Sequence, residues 1–395
     1  MNQSDNFFDI PFFDYDGEKK KFIDNMNFLK KMDVTEQTFY KKWYEIQNYR
    51  KLISNSSLVK AKIWVPIDIN DEVSTVKELE SMNPTIELVT TDSQENDWLM
   101  LRLFCHTMEF SQTPGRFLKF LIHDGNESNK RYLGAVSISS DIISINDRDR
   151  HIGWKTDDKL KGHKRINNSS IGSCIMSTQP FGYNFLGGKL VACMVTSSVV
   201  RDIWKRLYNN VMAGMTTTSL YGSFSMYNSL KWWHKCGESA GKIPIKPDDT
   251  FYETWHHWLQ TNKRDKYIKA MTQKEGVSGP VTGAKQRAIS MIFSELGMKM
   301  SNYTHGYQRG VYYSSFYENT KEFLSNKISE EELKIKPLFK DDKKSILDWW
   351  VPKAVKRYGS LKNEKRLKSE VLYYNNMIGM DYNEAKEKFY NEVGR

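Results

Sequence analysis

"RFLKFLIHDGNESNKRYLGAVSISSD", residues 116–141, contains two strand-like runs separated by a short polar segment. Both runs are rich in β-branched, aromatic and other apolar residues, and "GNESNK" between them is rich in turn-forming residues. We therefore predict a β-hairpin here, and a sheet built outward from it.

The segments on either side of this hairpin alternate between strand and helix patterns. Upstream, "TIELVTT" (85–91) is predicted as a strand, and "DSQENDWLMLRLFCHTMEF" (92–110) as a helix opened by a polar cap. Four more elements are predicted downstream: strand "SIGSCIMSTQPFG" (170–182), long helix "GGKLVACMVTSSVVRDIWKRLYNN" (187–210), strand "AGMTTTSLYG" (213–222) and short helix "MYNSLKWWHKCG" (226–237). This order predicts an α/β (α+β) fold, with a central mixed sheet flanked by helices. It is also the order expected of an acyl-CoA-dependent N-acetyltransferase-like (GNAT-like) fold.

Outside this core the chain is predicted to be mainly helical. We divide it into a helical N-terminal region with one strand (1–84), the GNAT-like core (85–245), a helical extension with a strand (246–330) and a basic helical C-terminal region (331–395). The N-terminal strand is assigned to "LVKAKIWVPI" (58–67), and the strand of the extension to "YQRGVYYSSFYEN" (307–319).

The charge of the chain is uneven. Residues 1–100 hold 12 Lys/Arg against 18 Asp/Glu, whereas the remainder holds 46 against 30, and the net charge is +10. A basic body favours a polyanionic partner such as DNA, because Lys and Arg that neutralise phosphates release condensed counterions. The alternative is that the lysines only solvate the surface.

Other composition signals bound the class of protein. The 4 cysteines form no CxxC pair, so neither a zinc ribbon nor a disulfide framework is expected. His234, His256 and His257 lack the spacing of a standard metal site, so no metal is predicted. There is no apolar run of about 18 residues and no export-signal pattern. We expect a cytoplasmic protein without a membrane partner.

"QPFGYNFLGGK" (179–189) lies where a strand is predicted to lead into the long helix. In a GNAT-like fold the backbone amides at this place hold the phosphates of the donor at the helix N-terminus. The residues that would form such a site are Gly182, Asn184, Gly187, Gly188 and Lys189. Asn184 stands where the usual signature has a small residue. The predicted cofactor is an acyl-CoA-like or other phosphate-containing donor, and the alternative is an ordinary turn.

Candidate proton-handling residues surround the same predicted cleft. Tyr227, on the last predicted helix, has the position of a general acid, and Ser219 and Tyr221 end the preceding strand. His106, at the end of the first core helix, suits a proton shuttle. For each of these side chains the alternative is a structural role.

"RDRHIGW" (148–154) places three charged residues and a histidine beside Ile-Gly-Trp, directly after the hairpin. With "CHTMEF", "RFLKFLI", "YLGAVSISSD", "NNSS", "MYNSLKWW" and "GESAGK", it resembles the domain of Druantia DruA-type proteins, a bacterial defence family also found on mobile elements and phages. The resemblance covers roughly residues 87–245. That domain is in turn similar to Mu Mom-type proteins, which are GNAT-like enzymes that modify adenine in phage DNA.

The resemblance implies functional or bracing roles for six residues: His106, Arg148, Asp149, Trp154, Asn168 and Tyr227. Arg148 and Asp149 would brace the loop, and Trp154 would pack it over the sheet. The chain departs from the family pattern at "NNSSIG" (167–172), which lacks an Asn-Asn-x-Arg-Phe arginine, and at Thr217 and Thr218, which replace a Glu-Thr pair.

The C-terminal region carries a basic, aromatic segment. Residues 340–368 hold ten Lys/Arg against four Asp/Glu, and "DWWVPKAVKRYG" (348–359) supplies aromatic side chains. We predict nucleic-acid contacts by a set of exposed cations: Lys353, Lys356, Arg357, Lys365 and Arg366. An ordinary amphipathic helix would have a similar composition.

The leading hypothesis from sequence is therefore a phage or mobile-element protein that acts on DNA, as a transferase of an acyl-type group to a base amine. Such an enzyme would flip the base out of the duplex. The first alternative is a non-catalytic nucleic-acid-binding module in transcription, defence or counter-defence. The second is a viral structural protein.

Overall fold

A computed structural model describes the chain over ten ranges: residues 13–49, 62–106, 115–125, 129–154, 165–219, 225–239, 243–272, 283–305, 308–368 and 377–393. Elements are numbered below in chain order over these residues. No helix in these ranges is long and apolar enough to cross a membrane.

A seven-stranded mixed sheet, in the order β1-β2-β3-β4-β5-β9-β6, forms the centre of the fold. Its strands are β1 (Thr85–Leu88), β2 (Phe117–Asp124), β3 (Arg131–Ser140), β4 (Ser169–Ser177), β5 (Gly214–Ser219), β6 (His234–Glu238) and β9 (Gly310–Ser315). The predicted hairpin is confirmed as the antiparallel β2–β3 pair, which joins Phe120 to Val136. β4 and β5 are parallel, whereas the other adjacent pairs of this sheet are antiparallel. A second sheet pairs β7 (Ile243–Pro244) with β8 (Thr304–His305).

Helices flank the sheet and form both terminal regions, which confirms the predicted fold class. They are α1 (Tyr15–Lys31), α2 (Val34–Asn48), α3 (Glu72–Ser81), α4 (Asp92–Cys105), α5 (Asn146–Ile152), α6 (Phe181–Phe185), α7 (Gly187–Met194), α8 (Ser198–Tyr208), α9 (Asp249–Asn262), α10 (Arg264–Met271), α11 (Ala284–Glu295), α12 (Thr320–Leu324), α13 (Asp342–Asn363) and α14 (Tyr382–Val393). Short 3₁₀ turns at Ile166–Asn168, Met300–Asn302 and Pro337–Phe339 join some of them.

Two hydrophobic clusters cover opposite faces of the sheet, because side chains alternate along each strand. On β2, Phe120 and Ile122 belong to the first cluster, and Leu121 to the second. The first cluster also takes side chains from α7, α8 and α13, and the second from α2, α4 and α14. The sheet is thus buried between two layers of helices.

Three predicted elements differ from the structure. The long helix at 187–210 is two helices, because the chain turns at Val195–Ser197 before α8 begins. The predicted helix at 226–237 is wrong, since its first residues form turns and its last residues form the edge strand β6. The described part of the predicted strand at 58–67 contributes only a bridge from Ile63 to Tyr132.

The chain divides into two compact units, with the boundary inside α2. The first comprises Met1–Gln37 and Lys242–Gly306. In it Phe22 packs against Trp255 and Phe293, and the Asn25 amide donates a hydrogen bond of 2.7 Å to Asp248. The second unit comprises Thr38–Gly241 and Tyr307–Arg395, and contains the seven-stranded sheet and the sites described below.

Candidate functional site

"RDRHIGW" folds as the second half of α5 and a turn, and its first arginine is fully buried. The Arg148 guanidinium forms ion pairs with both Asp141 and Asp149. Asp141 also accepts hydrogen bonds from the hydroxyls of Ser169 and Thr216. Burial alone would lower the pKa of Arg148, but the two carboxylates outweigh it and raise that pKa above its usual value. Arg148 is therefore a permanently charged brace between α5 and the sheet.

Trp154 and Asn168 fix the chain on either side of this network. The Trp154 indole N–H donates to the carbonyl of Leu324 at 2.9 Å, and the Arg148 guanidinium lies 5.3 Å from the Trp154 ring centroid. The Asn168 amide donates to the carbonyl of Val211 at 2.7 Å, just before β5. These contacts satisfy the Trp154 and Asn168 donors, and they tie the end of α5 to α12 and the turn before β4 to the segment before β5.

The same helix carries His151 into a cavity of about 360 Å³ beside the β6–β9 strand pair. His151 stacks on His234 of β6, with the two ring centroids 4.4 Å apart, and Tyr313 of β9 forms part of the same wall. Burial, followed by Lys321, His234 and Lys336, lowers the pKa of His151 to about 4. His151 is therefore neutral at pH 7 and able to accept a hydrogen bond.

The sequence did not indicate that His151 and His234 lie in contact. In the sequence, His151 stands out only as part of the "RDRHIGW" motif, and His234 only with His256 and His257 as a rejected metal set. No local pattern is shared by α5 and the "WWHKCG" segment. Their contact joins distant parts of the chain, so periodicity could not reveal it.

The predicted donor loop at 179–189 packs against other parts of the protein. A Cβ on Gly187 would lie 2.3 Å from the Phe181 ring, and the nearest atom to one on Gly188 would be the Met226 sulfur at 3.2 Å. A Cβ on Gly182 would meet the Ser177 hydroxyl at 2.3 Å. Close packing thus favours glycine at Gly182 and Gly187, whereas Gly188 has room for a small side chain.

Polar groups of the loop contact the turn after β5 and the segment after α13. Lys189 donates to the carbonyls of Met226 and Asn228, at 3.2 and 2.7 Å. The Asn184 side chain donates to the Lys368 carbonyl and accepts from the Lys368 amide, at 2.6 and 3.1 Å. The loop is therefore tied to both segments.

The candidate proton-handling residues are not gathered at one point. Tyr227 is buried, its hydroxyl lies 3.4 Å from that of Thr217, and burial raises its pKa well above the usual value. Ser219 is buried at the end of β5, and Tyr221 lies outside the described residues. His106 caps α4, whose side chains belong to the second cluster, whereas Tyr227 belongs to the first.

Two of the predicted nucleic-acid-binding residues, Arg357 and Arg366, contact Tyr183 of the predicted donor loop. The Arg357 guanidinium lies 5.2 Å and the Lys368 ammonium 4.8 Å from the Tyr183 ring centroid, and Arg366 donates to its hydroxyl at 3.4 Å. Earlier along α13, the Lys353 ammonium lies 5.2 Å from the ring centroid of Trp349. We call this surface the basic patch, and it consists of Tyr183, Trp349, Lys353, Lys356, Arg357, Lys365, Arg366 and Lys368.

The comparisons with known proteins agree on one family. A family model described as "Druantia protein DruA" matches residues 38–326 of the chain. The Druantia protein DruA of Escherichia coli (strain UMEA 4076-1) is 25% identical to the chain over 296 residues, which is 70% of each protein. No solved structure matches the chain.

Proposed function

The chain belongs to the Druantia DruA family, and on that premise we propose that it is a DNA-binding protein of a phage-defence system. The observation that carries the DNA-binding part is the basic patch. It joins cations from α13 and the segment after it to the aromatic ring of Tyr183 on α6.

The cations of the patch are available to phosphates. Within the described part of the chain, Lys353, Lys356, Arg357 and Lys365 form no ion pair, whereas Arg366 is paired with Glu364. Lys353, Lys356 and Lys365 are exposed. Unneutralised cations on one surface gain the most from phosphate contacts, because binding releases the counterions condensed on DNA.

The geometry of α13 suits a duplex. Lys356 and Arg357 follow Lys353 by three and four residues, so both neighbour it on the same side of the helix. A helix of 22 residues is about 33 Å long, close to one turn of duplex DNA. The half-buried Tyr183 ring and its cations add a site on which an exposed base could stack.

Binding of a labelled DNA duplex, followed by fluorescence anisotropy over a range of salt concentrations, tests this proposal. We expect the double variant Lys353→Glu/Arg357→Glu to weaken binding at least about tenfold, and to lower the slope of log affinity against log salt by about two. Lys344→Glu is the matched control, since it reverses a charge on the same helix outside the patch, near Asp341 and Asp348.

Two results would count against the proposal. One is an equal loss of affinity in the control, which would mean that only net charge matters. The other is an affinity of the wild-type protein for DNA that does not change with salt concentration. Competition by an RNA duplex of the same sequence shows whether DNA is the preferred polymer.

A second candidate activity is transfer of an acyl-type group to a base amine, and one observation favours it. The parallel β4–β5 pairing extends only over Ser169–Gly172 and Gly214–Thr217, whereas β4 continues unpaired with β5 to Ser177, whose hydroxyl lies near Gly182 and Gly188. A gap between parallel strands next to a helix N-terminus is where a GNAT-like enzyme binds its donor.

Mass spectrometry of nucleosides from DNA made with wild type, His106→Ala and Tyr227→Phe tests this activity. A mass gain lost in His106→Ala supports transfer, and unchanged nucleosides in wild type oppose it.

A further inference from the structure

The cavity that holds His151 and His234 has the charge of an anion site. Three lysines line it, Lys231, Lys321 and Lys336, and none of them forms an ion pair within the described residues. Glu318 and Glu322 also line the cavity. Lys321 and Lys336 place positive charge near His151, and Glu318 offsets part of it at Lys336. The interior around the histidine pair therefore favours a negative ligand.

The cavity also has the size and walls of a nucleotide site. Its volume of about 360 Å³ is at the lower end of the range of small-molecule sites. Aromatic side chains, which include Tyr313, Tyr317 and Phe339, form much of its lining. Aromatic faces bind nucleobases, and the neutral imidazole of His151 can accept a hydrogen bond from a sugar hydroxyl or a base amine.

The floor of the cavity is rigidly supported. His151 lies on α5, which the Arg148–Asp141–Asp149 network fixes to the sheet, and Tyr313 belongs to β9, which is paired with a strand on each side. A preformed site loses less entropy on binding than a mobile one.

We propose that this cavity binds a nucleoside phosphate, either free or at the end of a nucleic-acid strand, with the phosphate held by Lys321 and Lys336. The site shares no residue with the basic patch, and Trp232 of its lining packs edge-on against Trp349 of that patch. It would give the protein a nucleotide ligand in addition to duplex DNA.

Isothermal titration calorimetry of the full chain tests this site. The probes are AMP, adenosine, and a short DNA strand with either a 5′-phosphate or a 5′-hydroxyl. We expect AMP, the phosphorylated strand or both to bind, and the matching probe without phosphate to bind at least about tenfold more weakly. Comparison of AMP with the strand distinguishes a free nucleotide from a strand end.

Substitutions locate the binding. Lys321→Ala and Lys336→Ala should each lower the affinity for the phosphate-bearing probe about tenfold. Lys327→Ala, which removes an exposed lysine outside the cavity, should leave it unchanged. Lys353→Glu/Arg357→Glu should bind AMP like wild type, which separates this site from the proposed DNA interface. Because Lys321 is exposed, its variant should fold, and circular dichroism checks this.

The proposal is overturned if folded wild type binds neither phosphate-bearing probe. It is also overturned if adenosine binds as tightly as AMP and the DNA strand binds equally well with and without its 5′-phosphate. A third contrary result is wild-type affinity for the phosphate-bearing probe in both lysine variants.

Discussion

At the scale of single residues, the most informative feature is the buried charge in "RDRHIGW". A sequence that places Arg148 and Asp149 directly after a core strand implies partners for both, because unpaired buried charges are unstable. The sequence could predict that the pair braces a loop. It could not identify Asp141 as the second partner of Arg148, or Ser169 and Thr216 as the donors to Asp141, since these come from three other segments.

Arg148→Met should destabilise the fold by about 3–5 kcal/mol, because it leaves the carboxylates of Asp141 and Asp149 buried without their cation. Urea denaturation followed by circular dichroism measures this change. Arg150→Met is the matched control, and it should cost less than about 0.5 kcal/mol because Arg150 is exposed. Equal effects of the two substitutions would contradict the bracing role.

His151 should make the stability of the protein sensitive to acid. Its folded pKa of about 4 lies below the ordinary value of 6.5, so between these pH values the unfolded chain binds the proton more readily. The contribution of neutral His151 to the free energy of unfolding is thus fully present above pH 6.5, and it is lost as the pH drops towards 4. Since His151 is partly exposed, we expect a loss of only about 1 kcal/mol.

Urea denaturation at pH 7 and pH 4.5 checks this prediction. The acid-induced loss should be smaller in His151→Gln by about 1 kcal/mol. His257→Gln, which removes an exposed imidazole, is the control and should lose as much stability as wild type. A His151→Gln profile parallel to that of wild type would contradict the assignment.

At the scale of elements, local patterns predicted β1–β5 and β9, but they missed β6 and the division between α7 and α8. The β2–β3 hairpin follows from alternation and a turn-rich connection, both of which are local. The break between α7 and α8 was missed because apolar residues continue through Val195, and the chain there is buried by contacts from elsewhere. Residues 234–238 form a strand and not the predicted helix because they pair with β9, which lies far along the sequence.

Gly187→Ala should destabilise the α6–α7 junction by about 1–3 kcal/mol, because the added methyl group would overlap the buried Phe181 ring. Gly188→Ala is the matched control one residue later. Its methyl group would approach only the end of the flexible Met226 side chain, and alanine favours a helix, so stability should stay the same or increase. Thermal melts of both variants measure the difference, and a larger loss in Gly188→Ala would contradict this packing.

At the scale of the whole molecule, charge and fold class were predictable, whereas the meeting points of distant segments were not. The excess of Lys and Arg in residues 340–368 was visible in the sequence, but its meeting with Tyr183 required the packing of α13 beside α6. The four-part domain division and the catalytic roles of His106 and Tyr227 stay predictions. The family, by contrast, was indicated by motif order alone and agrees with the matches to DruA.

The central claim is that duplex DNA lies along the basic patch, and photo-crosslinking of the full chain to DNA followed by mass spectrometry of its peptides tests it most directly. We predict crosslinks at Tyr183 and within residues 349–368, which are lost in Lys353→Glu/Arg357→Glu and retained in Lys344→Glu. Crosslinks confined to other segments, and unchanged by the double substitution, would contradict the claim.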